Sequence, residues 1–273
     1  MKNAIITCCD AKYGDALINN WLKSLEANVD KSNLDMIVVD YGLTKEQISK
    51  LKDMIIYKGT RDGHVNLVRF RDIAKFLDKN RYDQVMMTDG GDIIFQTGLK
   101  ELFDNNKNEF RAACEDFYID FRNVFMRGSF TKENIKKINK VLDGKKMVNA
   151  GVIIGPYHKF KKMCKEAYRL LINKQIFGPD QIAVNYILYR DGFKLIENKF
   201  NFIPLTSRKR FSIKNGIFYF KDGEKIPIVH NAGNKKFFRP IKNFGYGKTH
   251  NQIKLLHFLI LRNFYRISSF LRK

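Results

Sequence analysis

Two aspartates separated by two glycines are the residues of this sequence whose types and spacing best suit chemistry. Asp89 and Asp92 follow an apolar run at residues 84–88, in the segment MMTDGGD. Glycines let the backbone turn tightly and approach a ligand closely, and paired carboxylates offer the hard oxygen ligands that Mg²⁺ and Mn²⁺ prefer. A plain turn with an aspartate that caps a helix is the alternative, and the motif alone leaves both interpretations open.

A histidine at the end of a later apolar run can complete such a metal site. His230 ends the run at residues 226–230, and Gly233 and Lys236 follow it. An imidazole beside two carboxylates suits Mn²⁺ better than Mg²⁺, and a nearby lysine can bind a phosphate as a point charge. The alternative is a structural histidine followed by a solvated basic loop.

Two other polar segments adjoin apolar ones. Asn149 and Gly151 lie within the run at residues 146–155, where a glycine indicates either a close approach of the backbone to a ligand or a β-bulge. Asp180 and Gln181 begin a helical pattern, and Asp180 is expected to be its N-cap. A cap followed by a solvated helix face is the default interpretation of this pair.

The elements that must position these residues alternate in type along the first half of the chain. Short buried strands are predicted at residues 4–9, 35–40, 54–57 and 84–88, and helices at 14–27, 44–51, 66–77 and 99–103. This order predicts a doubly wound, mostly parallel sheet flanked by helices, whose ligands bind at the carboxyl ends of the strands. The second half is less regular, with strands at 146–155, 194–195, 217–220 and 226–230 and helices at 159–173 and 181–189.

Composition narrows the class of protein and of partner. The chain has 273 residues, of which 44% are hydrophobic and 13% aromatic, so it can form a core and is not disordered. Lys and Arg number 50 against 28 Asp and Glu, a net charge of +22, which indicates an acidic partner. No recognition-helix, RNP-like or zinc-finger pattern accompanies this charge, so we expect no nucleic acid.

The last residues form a distinct tail. After Glu224 there is no acidic residue and there are 11 basic ones. The simplest division is a domain at residues 1–245 and a tail at 246–273, in which Arg262, Arg266, Ser269 and Lys273 share one helical face and Leu256, Leu259, Ile260, Ile267, Phe270 and Leu271 lie largely opposite. A basic amphipathic helix suits the interface of an anionic membrane; packing on its own domain and a dimer contact are the alternatives.

The compartment is predicted from what the sequence does not contain. The first apolar run, residues 4–9, is too short for a signal-peptide core, and the four cysteines include no CxxC pair, so buried reduced thiols are expected. We therefore expect a cytoplasmic protein, peripheral on the cytosolic face of a membrane.

The order of the motifs resembles the nucleotide-sugar-dependent glycosyltransferases of the GT-A fold. It is most similar to the glycogenin and lipopolysaccharide galactosyltransferase type, which retain the anomeric configuration of the sugar. The segments that carry the resemblance span roughly residues 4–240 and read VVDYGLT, MMTDGGDIIF, VNAGVIIG, GPDQIAVN and IVHNAGNKKF. The family's metal motif is Asp-x-Asp, and aligning Asp92 with its second carboxylate puts Gly90 at the first, so Asp89 must substitute one residue earlier.

The resemblance also implies roles for single residues. The metal, Mn²⁺ or Mg²⁺, would be held by Asp89, Asp92 and His230, and Asp180 and Gln181 would lie beside the reacting carbon. The residues expected to bind the UDP-sugar donor are Asp10 and Tyr13 for the base and ribose, Arg69 or Arg71 for the sugar or diphosphate, Asn149 for the sugar pocket, and Gly233 and Lys236 for the diphosphate. Thr7 is a further expected donor-binding residue.

The implied activity is metal-dependent transfer of a hexose from a UDP-sugar to an acceptor hydroxyl, with retention, on a cell-surface glycan or a lipid-linked precursor. Two other classes remain open. A non-catalytic nucleotide- or glycan-binding module would keep the fold without transfer. A nucleotidyltransferase normally carries a glycine-rich phosphate loop near its first strand, where only Gly14 lies.

Overall fold

The computed structural model describes residues 2–117, 120, 122–126, 128–233 and 236–270, apart from the side chains of Asn123 and Lys236. Its strands are β1 (Asn3–Cys9), β2 (Leu34–Asp40), β3 (Ile55–Lys58), β4 (Gln84–Thr88), β5 (Ile93–Phe95), β6 (Arg111–Cys114), β7 (Val148–Pro156), β8 (Lys194–Leu195), β9 (Phe211–Lys214), β10 (Ile217–Phe220), β11 (Ile228–His230), β12 (Ile241–Lys242) and β13 (Gln252–Ile253). Its α-helices are α1 (Ala11–Ala16), α2 (Lys23–Asn28), α3 (Lys45–Ser49), α4 (Val65–Lys79), α5 (Lys100–Asp104), α6 (Arg122–Phe125), α7 (Lys132–Leu142), α8 (Tyr157–Leu170), α9 (Pro179–Asp191) and α10 (Leu255–Phe270).

The central sheet has seven strands in the order β3-β2-β1-β4-β7-β6-β8. The first four of these are parallel, and β7 runs antiparallel to both of its neighbours, β4 and β6. The carboxyl ends of β1 and β4 therefore lie at the same edge as the amino end of β7. This edge carries Asp10, Asp89 and Asn149, which come from distant parts of the sequence.

Alternate residues of the central strands face two cores, one on each side of the sheet. Ile6 packs on one side with Phe70 of α4 and Phe160 of α8. Ile5 packs on the other side with Trp21, which belongs to a π-helical turn between α1 and α2. Helices thus cover both faces, as a doubly wound sheet requires, and the predicted α/β class is confirmed.

Several element boundaries differ from the sequence predictions. The first helix begins at Ala11, three residues before the predicted start, and includes the π-helical turn Leu17–Leu22. The expectation that Asp180 caps α9 is wrong: the N-cap is Gly178, whose φ of +106° suits glycine, and Asp180 lies buried in the first turn. The strands β5 and β6 and the helix α7 were not predicted.

The C-terminal segment pairs back onto the domain that precedes it. β13 pairs antiparallel with β12, and Phe258 and Leu261 of α10 pack against Ile203 and Leu205. Residues 246–254 are therefore hydrogen-bonded across the proposed boundary at 245. No helix among the described residues is long and apolar enough to cross a membrane.

Candidate active site

Two aspartates and a histidine meet at the carboxyl edge of the sheet. Nε2 of His230 lies 3.6 Å from Oδ2 of Asp89 and 3.6 Å from Oδ1 of Asp92. Asp89 and Asp92 occupy the turn between β4 and β5. His230 ends β11, which pairs antiparallel with β5 and places His230 opposite Ile93. The pairing of two short strands thus brings residues about 140 positions apart into one cluster.

The cluster fits a divalent metal ion. One ligand atom from each of Asp89, Asp92 and His230 lies within 4.8 Å of the other two. Ligands about 2.1 Å from a shared ion lie at most about 4.2 Å apart, so separations of 3.6 Å require little movement. Two carboxylates and an imidazole are a donor set that favours Mn²⁺ over Mg²⁺.

The pKa values of Asp92 and His230 reflect both their burial and their attraction for each other. Burial alone would lower the pKa of His230, but the carboxylates of Asp92 and Asp89 hold it above its ordinary value. Burial likewise works to raise the pKa of Asp92, yet His230 and Arg239 keep it below its ordinary value. Asp92 and His230 therefore stabilise each other as charges, an interaction that direct coordination of a bound cation would replace.

A buried arginine links the cluster to the start of α9. Arg69, in α4, is 4% exposed, and its guanidinium donates to Asp89 Oδ1 at 2.8 Å and to Asp180 Oδ2 at 3.2 Å. Burial raises the pKa of Asp180 to about 6, although Arg69 opposes this. Arg71, the other candidate, lies outside the cluster and pairs with Asp62 and Asp72, because residues two apart on a helix face different directions.

His230 is oriented from behind by a chain of amide side chains. Its Nδ1 lies 3.0 Å from Oδ1 of Asn201, and the amide of Asn201 donates to Oδ1 of Asn149 at 3.2 Å. The amide of Asn149 in turn donates to Glu115 at 2.9 Å, whose pKa burial raises. Asn149, expected to line the sugar pocket, thus uses its side-chain amide within the protein. This chain of amides orients the imidazole as the partners of metal-binding histidines commonly do.

The segment after His230 returns to the cluster through an arginine. Arg239 donates from Nη2 to Asp92 Oδ2 at 2.8 Å and from Nε to the carbonyl of Gly233 at 2.7 Å. One oxygen of Asp92 is therefore fixed by Arg239 while the other faces His230. The side chain of Lys236, the predicted phosphate ligand, lies outside the described residues.

The predicted base and ribose residues lie at the same edge and retain unused polar atoms. Thr7 and Asp10 are buried, and among the described residues Thr7 Oγ1 and Asp10 Oδ1 have no hydrogen-bond partner. The other oxygen of Asp10 pairs with Arg61 at 3.0 Å. Tyr13 is 40% exposed and borders Gly91, which lies between Asp89 and Asp92. Buried polar atoms without partners are costly, so this edge is suited to a polar ligand.

Gln181, in the first turn of α9, contacts the strand β7. Its side-chain Oε1 accepts from the backbone N–H of Ala150 at 3.5 Å. Asp180, its neighbour, points to Arg69 instead. Arg69 therefore joins Asp180 to Asp89 of the cluster, and Gln181 contacts the strand β7.

The sequence matches no protein-family model and no curated protein. Solved structures do match. The galactosyltransferase LgtC, in complex with donor and acceptor sugar analogues, is 17% identical over 95% of both chains, with a TM-score of 0.55. The bifunctional glycosyltransferase WbbM is 14% identical over the whole of this chain and 52% of its own, with a TM-score of 0.58. The glycosyltransferase GlyE of Streptococcus pneumoniae TIGR4 is 18% identical over 98% of this chain and 64% of its own, with a TM-score of 0.55.

The chain has the GT-A fold. At these identities the likeness concerns the fold, and the predicted GT-A architecture is confirmed at that level. The turn that carries Asp89 and Asp92, after β4, and the amino end of β7 lie at the sheet edge where a ligand of an α/β fold is expected.

Three functional candidates were missed from sequence: Glu115, Asn201 and Arg239. Each reaches the cluster only through packing of segments far apart in the chain. Arg239 alone carried a usable signal, since it stands three residues after Lys236 in a segment already singled out for phosphate binding.

Proposed function

We propose that this protein is a metal-dependent glycosyltransferase that moves a hexose from a UDP-sugar to an acceptor hydroxyl with retention of configuration. The observation that carries the proposal is the cluster of Asp89, Asp92 and His230 at the carboxyl edge of a GT-A sheet. The glycosyltransferases with which the chain shares its fold support the reaction class.

Different residues around the cluster are proposed to bind different parts of the donor. A bound Mn²⁺ or Mg²⁺ supplies positive charge to the diphosphate that departs. Thr7 and Asp10 offer buried oxygens to the base and ribose, with Tyr13 at the mouth of this site. Gly233 and Lys236 line the diphosphate.

Asp180 and Gln181 face the reacting carbon in this proposal. Arg69 holds Asp180 through an ion pair at 3.2 Å and so fixes its orientation. The bond between the sugar carbon and the diphosphate oxygen breaks, a bond to the acceptor oxygen forms, and the acceptor proton passes to the departing phosphate. Gln181 is a poor nucleophile, and on this route its side chain stabilises the electron-poor sugar without bonding to it.

The acceptor is proposed to be a cell-surface glycan or lipid-linked precursor at the cytosolic face of a membrane. One face of α10 packs on the protein through Phe258 and Leu261. The opposite face exposes large apolar side chains: Leu256, Leu259, Ile260, Ile267 and Phe270. An exposed apolar face beside cations is suited to an anionic membrane interface.

Release of UDP tests the reaction. The full chain is incubated with UDP-glucose, UDP-galactose and their N-acetyl forms, with Mn²⁺ or with EDTA, and UDP is measured. We expect release with one donor, lost with EDTA and in Asp92→Asn, but kept in the control Asp104→Asn, which alters an exposed acid of α5. Release that survives EDTA would remove the metal from the proposal, and UDP binding without any release would indicate a non-catalytic module.

Membrane binding is tested separately by sedimentation with phosphatidylglycerol vesicles. Replacing Leu256 and Ile260 by serine removes exposed apolar area and should lower the bound fraction. Vesicle binding that is unchanged by this double substitution would contradict a role for α10.

A further inference from the structure

Five positively charged side chains lie on one loop and one helix beside the candidate active site. This cationic cluster consists of Arg208, Lys209 and Arg210, which follow a buried segment, and Arg262 and Arg266 of α10. Four of them are exposed and Arg262 is half-buried. None of the five forms an ion pair with an acid of the described chain, whereas many other surface cations of this structure do.

The loop and the helix are joined by a direct hydrogen bond. Nη2 of Arg262 donates to the backbone carbonyl of Arg208 at 3.0 Å. Burial, together with the like charges of Arg266 and Arg210, lowers the pKa of Arg262. Like charges held this close repel one another, so their clustering requires either a structural gain or an anion that they share.

The cluster borders the residues that support the metal site. The backbone N–H of Arg208 donates to Oδ2 of Asp116 at 2.7 Å. Thr206, two residues earlier, donates its hydroxyl to Glu115. Glu115 accepts from Asn149, the strand residue that reaches His230 through Asn201.

The structural role of the loop does not require its charges. Asp116 is bound by backbone and hydroxyl groups, from Arg208 N–H and Ser207 Oγ. The guanidinium of Arg208 stacks on Phe117, and the ammonium of Lys209 lies 4.6 Å from the ring centre of Phe220. These contacts position the two side chains, and neither cation forms an ion pair with an acid of the described chain.

We propose that the cationic cluster binds a phosphate group of the acceptor, so that the acceptor is a phosphorylated or phosphate-linked glycan. This inference rests on the proposed glycosyl transfer, because only a transferase has an acceptor. Several charge-assisted hydrogen bonds to one phosphate bind it strongly, and the position beside Glu115 and Asp116 puts that phosphate near the sugar pocket. A lipid headgroup offers the same chemistry, and binding to vesicles distinguishes it from a phosphate on the acceptor.

The test measures phosphate binding after the donor site has been filled. Full-length protein saturated with UDP, with Mn²⁺ in excess, is titrated with inorganic pyrophosphate by calorimetry, and the heat from the same Mn²⁺–UDP solution without protein is subtracted because pyrophosphate also binds the free ion. The double substitution of Arg208 and Arg210 by glutamine should weaken pyrophosphate binding about tenfold or more, while the affinity for UDP stays the same. The matched control, Lys79→Gln with Arg81→Gln, removes two exposed charges elsewhere and should change neither affinity.

A second arm separates the two sources of phosphate. Sedimentation with phosphatidylglycerol vesicles is measured for the same proteins. Loss of pyrophosphate binding with vesicle binding kept supports an acceptor site. Equal pyrophosphate binding by the wild type and the double variant, or a loss confined to vesicles, overturns the proposal. Absence of transfer from every UDP-sugar would overturn the proposed function but leave this measurement valid, because binding requires no turnover.

Discussion

Replacing Gly151 by alanine should displace His230 and weaken metal binding, because the two residues lie too close for a methyl group. A Cβ at residue 151 would lie 2.2 Å from Cε1 and 2.7 Å from Nδ1 of His230. Ordinary contact begins at 3.4 Å, so the ring would have to retreat by 3.4 − 2.2 = 1.2 Å. Metal–ligand distances tolerate only about 0.2 Å, so His230 could no longer coordinate in its present place.

The expected loss follows from the contacts that the ring makes. Loss of an orienting partner typically weakens metal binding by about 10- to 100-fold, or about 1.4–2.7 kcal/mol. Moving His230 also breaks its 3.0 Å contact with Asn201. We therefore expect the upper end of that range, with the rest of β7 kept in place by its pairing with β4.

The assay is a Mn²⁺ titration in which free ion is counted by electron paramagnetic resonance. Gly98→Ala is the matched control, because a Cβ there meets only the carbonyl of Asn28 at 3.8 Å. Thermal unfolding of both variants shows whether they fold. If Gly151→Ala binds Mn²⁺ as the wild type does while His230→Ala does not, the position of the ring is not set by the space at Gly151.

Three further substitutions test the surrounding contacts. Replacing Arg239 by glutamine frees one oxygen of Asp92 and should weaken Mn²⁺ binding about tenfold in the same titration; unchanged binding would argue against this role. Replacing Arg69 by glutamine leaves Asp180 buried without its partner and should cost about 3–5 kcal/mol. A carboxyl whose pKa is raised in the folded state from 3.8 to about 6 adds to the free energy of unfolding at low pH, and this contribution is lost as the pH rises through that range. The free energy of unfolding that Arg69→Gln loses, measured in urea, should therefore be larger at about pH 8 than at about pH 5. Equal losses at the two pH values would contradict this expectation. Replacing Phe258, which is 6% exposed, by alanine should cost about 3 kcal/mol, measured by thermal unfolding; no loss would mean that α10 is not docked.

Much of the parallel half of the fold could be predicted because β1, β2 and β4 are buried on both faces. Such strands read as short continuous apolar runs, and the run at residues 84–88 is the strand β4 without any shift in its ends. The capping box at the start of α3 was also visible, since Thr44 and Gln47 form it with residues only three apart. Local signals of this kind need no knowledge of the tertiary structure.

The strand β6 and the support of the cluster could not be predicted in the same way. β6 is a strand of four residues that includes Arg111, whose charge masks the apolar pattern. Asn201 and Glu115 are ordinary polar residues in sequence, and only the folded chain brings them to Asn149. Glu115 lies 34 positions from Asn149 and Asn201 lies 52 positions from it, separations over which periodicity carries no information.

The spacing of the two aspartates, one residue wider than the family motif, has a physical explanation in the turn itself. A Cβ at Gly90 would lie 2.6 Å from Oγ1 of Thr7 and 3.3 Å from the carbonyl of Cys8, so β1 leaves no room there for a carboxylate. Asp89 instead remains in line with β4, where its N–H donates to the carbonyl of Gly151.

That placement gives Asp89 two partners. Its Oδ1 binds Arg69, and its Oδ2 faces His230. Because Arg69 also holds Asp180, the wider spacing couples the metal cluster to the residue proposed to face the reacting carbon. The departure from the family motif therefore changes how the cluster is connected, while Asp89, Asp92 and His230 still lie close enough together to hold a divalent cation.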